Sequence, residues 1–124
     1  MATILIVEDD PLMNGFLCRV AEEAGHRVIS TANGREAVAA VGETDLDLIV
    51  LDLVMPEMDG LETLNLIREA RGAFKILAIS GGGRVGAEDY LRVARILGAD
   101  RTLAKPFTAP DFIREVAELL AEPA

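Results

Sequence analysis

Five short apolar runs alternate along this chain with five longer stretches in which apolar residues recur with a helical period. We predict strands at 3–8, 27–31, 47–52, 75–80 and 101–104, and helices at 11–24, 34–41, 60–71, 86–97 and 110–121. Strands and helices in strict alternation indicate repeated βα units and a parallel sheet. The runs are rich in Ile, Leu and Val, which is typical of strands covered on both faces.

The number of βα units limits the architecture. A closed barrel of parallel strands and helices needs eight such units, so we predict an open, doubly wound α/β sheet. In sheets of this kind, ligands bind outside the carboxyl ends of the strands. Functional side chains are therefore expected where the apolar runs end.

Several helix boundaries carry local signals. Asp10 before Pro11 has the pattern of an N-cap followed by proline in the first turn, and 108–111 (Thr-Ala-Pro-Asp) resembles a capping box. A glycine follows each of the first four helical stretches, where a left-handed residue commonly ends a helix. These glycines are Gly25, Gly42, Gly72 and Gly98.

Length, charge and cysteine content exclude several classes of protein. A chain of 124 residues fits one domain over 1–124, and we expect no output domain. Cys18 is the only cysteine, which excludes an internal disulfide and indicates a reducing compartment, so we expect a cytoplasmic protein. No apolar stretch approaches the roughly 18 residues of a membrane span. The net charge of −9 argues against direct binding of nucleic acid, because contacts to backbone phosphates need a basic face.

Four of the five apolar runs end in side chains suited to phosphoryl chemistry. They are Glu8, Asp9 and Asp10 after the first run, Asp52 after the third, Ser80 after the fourth and Lys105 after the fifth. If the strands are parallel neighbours, these carboxylates, hydroxyl and ammonium meet at one edge of the sheet. Clustered carboxylates repel one another unless a cation is present, and oxygen ligands with few protein donors favour Mg²⁺.

These residue types fit the parts of a phosphoryl-transfer site. A carboxylate such as Asp52 can attack phosphorus, and Lys105 and Ser80 can stabilise the phosphoryl oxygens by charge and by hydrogen bonding. Two of these residues also have simpler interpretations: Asp52 could be a loop residue, and Lys105 could be a surface lysine. Asp10 is better explained as a helix cap than as a metal ligand. We interpret 81–83 (Gly-Gly-Gly) as a flexible loop, His26 as a surface residue and Cys18 as a small core residue.

Taken together, these motifs resemble the receiver domain of bacterial two-component response regulators. The similarity covers the whole chain and rests on the order and spacing of 4–11 (ILIVEDDP), 47–60 (DLIVLDLVMPEMDG), Ser80 and 105–107 (KPF). It implies a flavodoxin-like (βα)₅ fold with five parallel strands in the order 2-1-3-4-5. A stand-alone, chemotaxis-regulator-like member of the family is the expectation.

The resemblance also implies roles for individual residues. Asp52 would accept a phosphoryl group from a histidine kinase, Ser80 would bind a phosphoryl oxygen, and Lys105 would pair with the phosphoryl group. The Lys105-Pro106 peptide would be cis. Mg²⁺ would be bound by Asp9 and Asp52, by the Val54 carbonyl, and by Glu8 through a bound water. The predicted fourth helix, fifth strand and fifth helix would form the surface for a downstream partner.

Four positions depart from the family pattern, in three ways. Thr102 stands where an aromatic residue is usual, so the chain lacks the ring that usually couples to the hydroxyl at the position of Ser80. Gly81 follows Ser80, where a small side chain is common. Val54 and Gly82 replace residues that are often polar and that tune the lifetime of the phosphoryl group.

From the sequence we predict a phosphorylation-dependent signalling switch rather than a turnover enzyme, acting as a monomer or weak homodimer. Its partners would be a histidine kinase or a histidine phosphotransfer protein and an unknown downstream protein. One alternative is a phosphorelay intermediate that passes the group to a histidine phosphotransfer protein. Another is an aspartate-nucleophile phosphatase, although those enzymes carry Asp-x-Asp after the first strand and this chain does not.

Overall fold

The structure is a computed structural model that describes residues 1–54, 60–70, 72–81 and 87–123, without the side chains of residues 87, 88 and 90. Within these ranges it contains five strands: β1 (Thr3–Val7), β2 (Arg27–Thr31), β3 (Leu48–Asp52), β4 (Lys75–Ser80) and β5 (Arg101–Ala104). It also contains five helices: α1 (Pro11–Glu23), α2 (Gly34–Glu43), α3 (Gly60–Glu69), α4 (Ala87–Leu97) and α5 (Ala109–Ala121). The predicted elements are confirmed, with boundaries that differ by one or two residues.

The strands form one parallel sheet in the order β2-β1-β3-β4-β5, which confirms the flavodoxin-like topology. Alternate residues of each strand enter two separate hydrophobic clusters. On one face, Leu5 and Ile49 pack in a cluster with Leu64 of α3 and Leu91 of α4. On the other face, side chains of β1, β3 and β4 pack against α1 and α5, where Phe112 is fully buried. Both faces of the sheet are therefore covered, which explains the continuous apolar runs.

The helix caps were predicted correctly in most cases. Asp10 caps α1 by accepting a hydrogen bond from the Leu12 amide, and Thr108 and Asp111 form a reciprocal capping box at α5. Gly25 and Gly98 adopt positive φ angles of 95° and 113°, which L-residues with a Cβ disfavour.

The prediction that α2 ends before Gly42 is wrong. The helix continues through Gly42 to Glu43, and the extended residue Thr44 ends it by donating its amide to the Ala40 carbonyl. The prediction of a left-handed residue at Gly72 is also wrong, because α3 ends at Glu69 and Gly72 has no positive φ angle. Space is the structural reason for glycine there, since a Cβ would lie 2.3 Å from a carbon of the Phe74 ring. Across the described residues, we find no helix with both the length and the apolar character needed to cross a membrane.

Candidate functional site

The carboxyl ends of β1 and β3 bring three acidic side chains together. The two strands pair directly, with Val7 opposite Leu51, so the residues that follow them are neighbours. One carboxylate oxygen from each of Glu8, Asp9 and Asp52 lies within 4.8 Å of the others. They line a cavity of about 250 Å³, whose wall is formed by Glu8, Asp9, Asp10, Asp52, Val54, Gly81 and Lys105.

Lys105 enters the same cavity from β5, two strands away from β3. Its ammonium donates to Glu8 Oε1 at 2.8 Å and lies 3.6 Å from Asp52 Oδ2. The backbone of Lys105 is fixed by a bond from its amide to the Ser80 carbonyl, and the Lys105-Pro106 peptide is cis, as predicted. Gly81 leaves room for the lysine stem, because a Cβ there would lie 3.1 Å from Lys105 Cδ.

Burial and mutual repulsion dominate the electrostatics of the acidic residues. Burial, followed by the nearby Asp52 carboxyl, raises the pKa of Glu8, and the Lys105 ammonium only partly offsets this. Burial and the neighbouring Glu8 raise the pKa of Asp9 as well. Burial lowers the pKa of Lys105, but its hydrogen bond to Glu8 and the charge of Asp52 outweigh that effect, so the net shift is upward. The Lys105 ammonium is one positive charge beside the three carboxyl groups of Glu8, Asp9 and Asp52, so a bound cation would bring the cluster closer to neutrality.

The backbone around Asp52 is held tightly. The Val54 amide donates to Asp52 Oδ1 at 3.2 Å, and the Leu53 amide donates to the Ile79 carbonyl at 2.9 Å. Gly60, at the start of α3, packs against this segment so closely that a Cβ would lie 2.2 Å from Leu53 Cα. Only glycine allows the start of α3 to approach the strand end in this way, and the Gly60 amide donates to the Leu53 carbonyl at 3.1 Å, so the backbone that follows Asp52 is held against α3.

Ser80 lies at the carboxyl end of β4, but its side chain makes no hydrogen bond to the other described site residues. Its hydroxyl is completely buried and has no hydrogen-bond partner among the described residues. An unpaired buried hydroxyl is energetically unfavourable, and buried polar groups normally have partners. The Ser80 hydroxyl can therefore form a hydrogen bond with a polar group that enters its surroundings.

The remaining residues singled out in the sequence lie where simpler interpretations placed them. Asp10 caps α1, although its amide also donates to Glu8 Oε2 at 3.2 Å. His26 lies at the opposite end of the sheet and accepts a bond from the Ala2 amide. Cys18 is partly buried against the α1–α5 core cluster. Gly82 and Gly83, and the family motif at 55–59, lie outside the described residues.

Sequence reasoning missed one residue near the site, Asn14, and did not predict the partner of another, Thr102. Asn14 of α1 donates to the carbonyl oxygens of Glu8 and Thr31, and so joins the ends of β1 and β2. Thr102, at the position that is usually aromatic, accepts a hydrogen bond from Arg95 of α4 at 2.9 Å. The sequence offered one signal for Asn14: an asparagine, which is a poor helix former, one turn into a predicted helix and on the side that faces the sheet.

The fold and the site define a class: a doubly wound α/β protein with an acidic, lysine-containing cavity at the carboxyl ends of its strands. The chain belongs to the response regulator receiver domain family, whose model matches residues 4–117. This confirms the resemblance seen in the sequence motifs.

Individual relatives agree with this assignment. The chain is 38% identical over 117 residues to the transcriptional regulatory protein TcrA of Mycobacterium tuberculosis, covering 94% of this chain but only 45% of that protein. It is 35% identical to the response regulator receiver protein CpdR of Brucella abortus, covering 97% of this chain and 98% of the relative. It is 34% identical to the chemotaxis protein CheY of Halobacterium salinarum, covering 94% and 95%. The chain thus spans less than half the length of TcrA, and the absence of an output domain stays a prediction.

Solved structures support the fold independently. A CheY-like receiver domain protein of Methanospirillum hungatei superposes with a TM-score of 0.88 at 25% identity, covering 97% of this chain and 94% of that one. The chemotaxis protein CheY4 of Vibrio cholerae gives a TM-score of 0.85 at 26% identity, covering 96% and 98%.

Proposed function

We propose that this receiver domain is a phosphorylation-dependent switch that accepts a phosphoryl group on Asp52. The observation that carries the proposal is the placement of Asp52, which is buried at the end of β3, 3.6 Å from an ammonium and beside two further carboxylates. An aspartate with a purely structural role does not need these neighbours. A phosphoryl acceptor needs positive charge, from a lysine and a cation bound by carboxylates, to stabilise the phosphoryl oxygens.

The cluster fits a hard divalent cation. Its donors are carboxylate oxygens within 4.8 Å of one another. Burial and then the neighbouring carboxyl groups raise the pKa values of Glu8 and Asp9, and a bound cation would oppose both effects. Asp9, Asp52 and the Val54 carbonyl would hold Mg²⁺, with Glu8 acting through a bound water. When bound, the ion would supply positive charge for the phosphoryl oxygens.

The reaction we propose is an in-line displacement at phosphorus. A carboxylate oxygen of Asp52 forms a bond to the phosphorus of a phosphohistidine, and the phosphorus–nitrogen bond breaks. The leaving imidazole takes the electron pair of that bond, and Asp52 becomes an aspartyl phosphate. Because Val54 N–H already orients Asp52 Oδ1, the carboxylate does not have to reorganise before it attacks.

Two other side chains would respond to the new group. The Lys105 ammonium, which lies between Glu8 and Asp52, would pair with the phosphoryl oxygens. The Ser80 hydroxyl, which has no partner in the described part of the chain, would donate a hydrogen bond to a phosphoryl oxygen in the phosphorylated state. A ligand shifts a conformational equilibrium only through contacts that differ between the two states, and the Ser80 contact is of that kind.

On the partner side, we propose phosphoryl transfer from a histidine kinase or a histidine phosphotransfer protein in the cytoplasm. Output would pass through the surface of α4, β5 and α5 to another protein, with the receiver monomeric or weakly dimeric. The net charge of −9 disfavours nucleic acid as that partner. The chemistry changes the protein itself, so we do not expect turnover of a substrate.

A mass measurement tests the proposal. The protein is incubated with acetyl phosphate and Mg²⁺, and we expect a gain of one phosphoryl group that is lost in Asp52→Asn and in excess chelator. Asp47→Asn is the matched control, since it removes a carboxylate at the opposite end of the same strand, where Asp47 bonds to the Thr3 amide. Full labelling of Asp52→Asn would disprove the assignment of the acceptor. Continuous release of inorganic phosphate at a high rate would instead favour the alternative function, an aspartate-nucleophile phosphatase.

A further inference from the structure

The side chain of Asn14 lies at the centre of a hydrogen-bond network between α1 and the ends of β1 and β2. Its amide nitrogen donates to the carbonyl oxygens of Glu8 at 2.9 Å and Thr31 at 3.0 Å. Its amide oxygen accepts from Ser30 Oγ at 2.7 Å and from Cys18 Sγ at 3.3 Å. A primary amide has two hydrogens to donate and two lone pairs, so its full capacity is used.

The bond to Glu8 reaches two candidate metal-site residues at once. The Glu8 carbonyl belongs to the peptide group that joins Glu8 to Asp9. A peptide group is planar and includes the Cα atoms on both sides, so fixing its oxygen also fixes the start of both acidic side chains. The second donor bond anchors the amide to Thr31, whose carbonyl also accepts from the Glu8 amide at 3.2 Å.

Helix formation does not explain an asparagine at this position. Asn14 lies one turn into α1, where its own amide bonds to the Asp10 carbonyl, and asparagine is a poorer helix former than leucine or alanine. An amide that satisfies four partners beside the acidic cavity accounts for the residue better than propensity does.

We infer that Asn14 is a positioning residue that holds the Glu8–Asp9 backbone in the geometry needed to bind a divalent cation. The inference rests on the proposed function, because it requires that the acidic cluster bind such an ion. Groups that orient metal ligands without touching the metal commonly contribute about tenfold or more to affinity.

The test compares Mg²⁺ affinities of folded proteins by calorimetric titration. Asn14→Leu keeps the branching at Cγ, although leucine is larger, and favours the helix but removes all four hydrogen bonds, so we expect Mg²⁺ binding to weaken by about tenfold. Asn14→Ser retains one donor and should recover part of that loss, and it provides the measurement if the leucine variant does not fold. Asn33→Ala is the control, because it removes the N-cap of α2, which bonds to the Glu36 amide, away from the cavity.

The control separates positioning from stability. Asn33→Ala should melt at a lower temperature yet bind Mg²⁺ with wild-type affinity. Wild-type affinity in the folded Asn14 variants would overturn the role of Asn14 while leaving the proposed function intact. A wild-type protein that binds no Mg²⁺ would overturn both.

Discussion

At the scale of single residues, the Lys105 ammonium lies closer to Glu8, at 2.8 Å, than to Asp52, at 3.6 Å. Glu8 is almost completely buried, and its longer side chain also accepts from the Asp10 amide. A buried carboxylate of this kind needs a partner, and Lys105 provides one. Glu8 therefore keeps the ammonium inside the cavity, beside the proposed acceptor, before any phosphoryl group arrives.

Removing the ammonium should slow phosphorylation without abolishing it. We expect Lys105→Ala to take up phosphoryl groups from acetyl phosphate on the order of a hundredfold more slowly, because the charge that stabilises the transition state is lost. The measurement is the initial rate of mass gain with Mg²⁺ present. Lys75→Ala is the matched control, since Lys75 bonds to the Pro123 carbonyl at the other end of the sheet. Equal rates for the two variants would refute a role for Lys105 in the transfer.

Asp9 should destabilise the metal-free protein. Its pKa is raised in the folded state, by partial desolvation of the carboxyl group and then by Glu8, so the folded state binds a proton more readily than the unfolded state does. The resulting loss of stability is complete above the folded pKa and disappears as the pH falls through it toward the ordinary value of 3.8. We therefore expect Asp9→Asn to increase the free energy of unfolding at neutral pH, by less than about 1 kcal/mol because Asp9 is exposed.

Urea unfolding in chelator at neutral and acidic pH measures this difference, which should shrink in acid. Asp45→Asn, at an exposed position outside the cavity, makes the same change in net charge and serves as the control. Asp9→Asn should also weaken Mg²⁺ binding. A variant that is less stable than wild type at neutral pH and responds normally to Mg²⁺ would show that Asp9 packs rather than ligates.

At the scale of elements, α4 and β5 are joined by the bond from Arg95 to the Thr102 hydroxyl. The start of β5 is held to α5 and its C-cap, where Arg101 pairs with Glu115, Glu118 and Glu122. Thr102 is too small to fill the space of an aromatic ring, and its hydroxyl is already engaged. Movement that starts at Ser80 therefore has its most direct route through the chain that follows β4.

Activation should appear mainly at residues 81–90, of which 82–86 lie outside the described part of the chain. We expect hydrogen exchange in this segment to change on adding beryllofluoride, a phosphoryl mimic, with smaller changes around Thr102. Thr102→Val removes the bond from Arg95 but keeps the size of the side chain, so the response at 81–90 should persist in that variant. Changes confined to the surroundings of Thr102, with 81–90 unaltered, would contradict this path.

At the scale of the whole molecule, the acidic cavity adds local repulsion to a chain whose net charge is already −9. Folding brings Glu8, Asp9 and Asp52 together, so an ion that binds only the folded state stabilises it by mass action. At a concentration of one hundred times its Kd, such an ion adds about 2.7 kcal/mol to the free energy of unfolding.

Melting temperature should therefore rise with Mg²⁺ concentration. Sodium chloride at matched ionic strength is the control, because general screening of a negative chain also favours the compact state. The Mg²⁺ effect should exceed that of salt in the wild type and shrink in Asp9→Asn. Identical melting curves in Mg²⁺ and in sodium chloride would rule out a specific site.

The sequence by itself determined the elements, the fold class and the position of the site. Strand runs and helical periods are local patterns, and the caps at Asp10 and Thr108 depend on residues within one turn of helix. The strand order followed from the resemblance carried by the motifs. Because parallel strands end at a common edge, the polar residues that follow them had to meet there.

Only the tertiary structure decided which partners these residues have. The bond between Lys105 and Glu8 joins residues 97 positions apart, and the preference of the ammonium for Glu8 over Asp52 depends on how the strands are packed. The bonds of Asn14 to Glu8, Thr31 and Ser30 and the close approach of Gly60 to Leu53 likewise arise from the contact of a helix with the end of a strand. Such partnerships depend on distances between elements, which local sequence patterns do not encode.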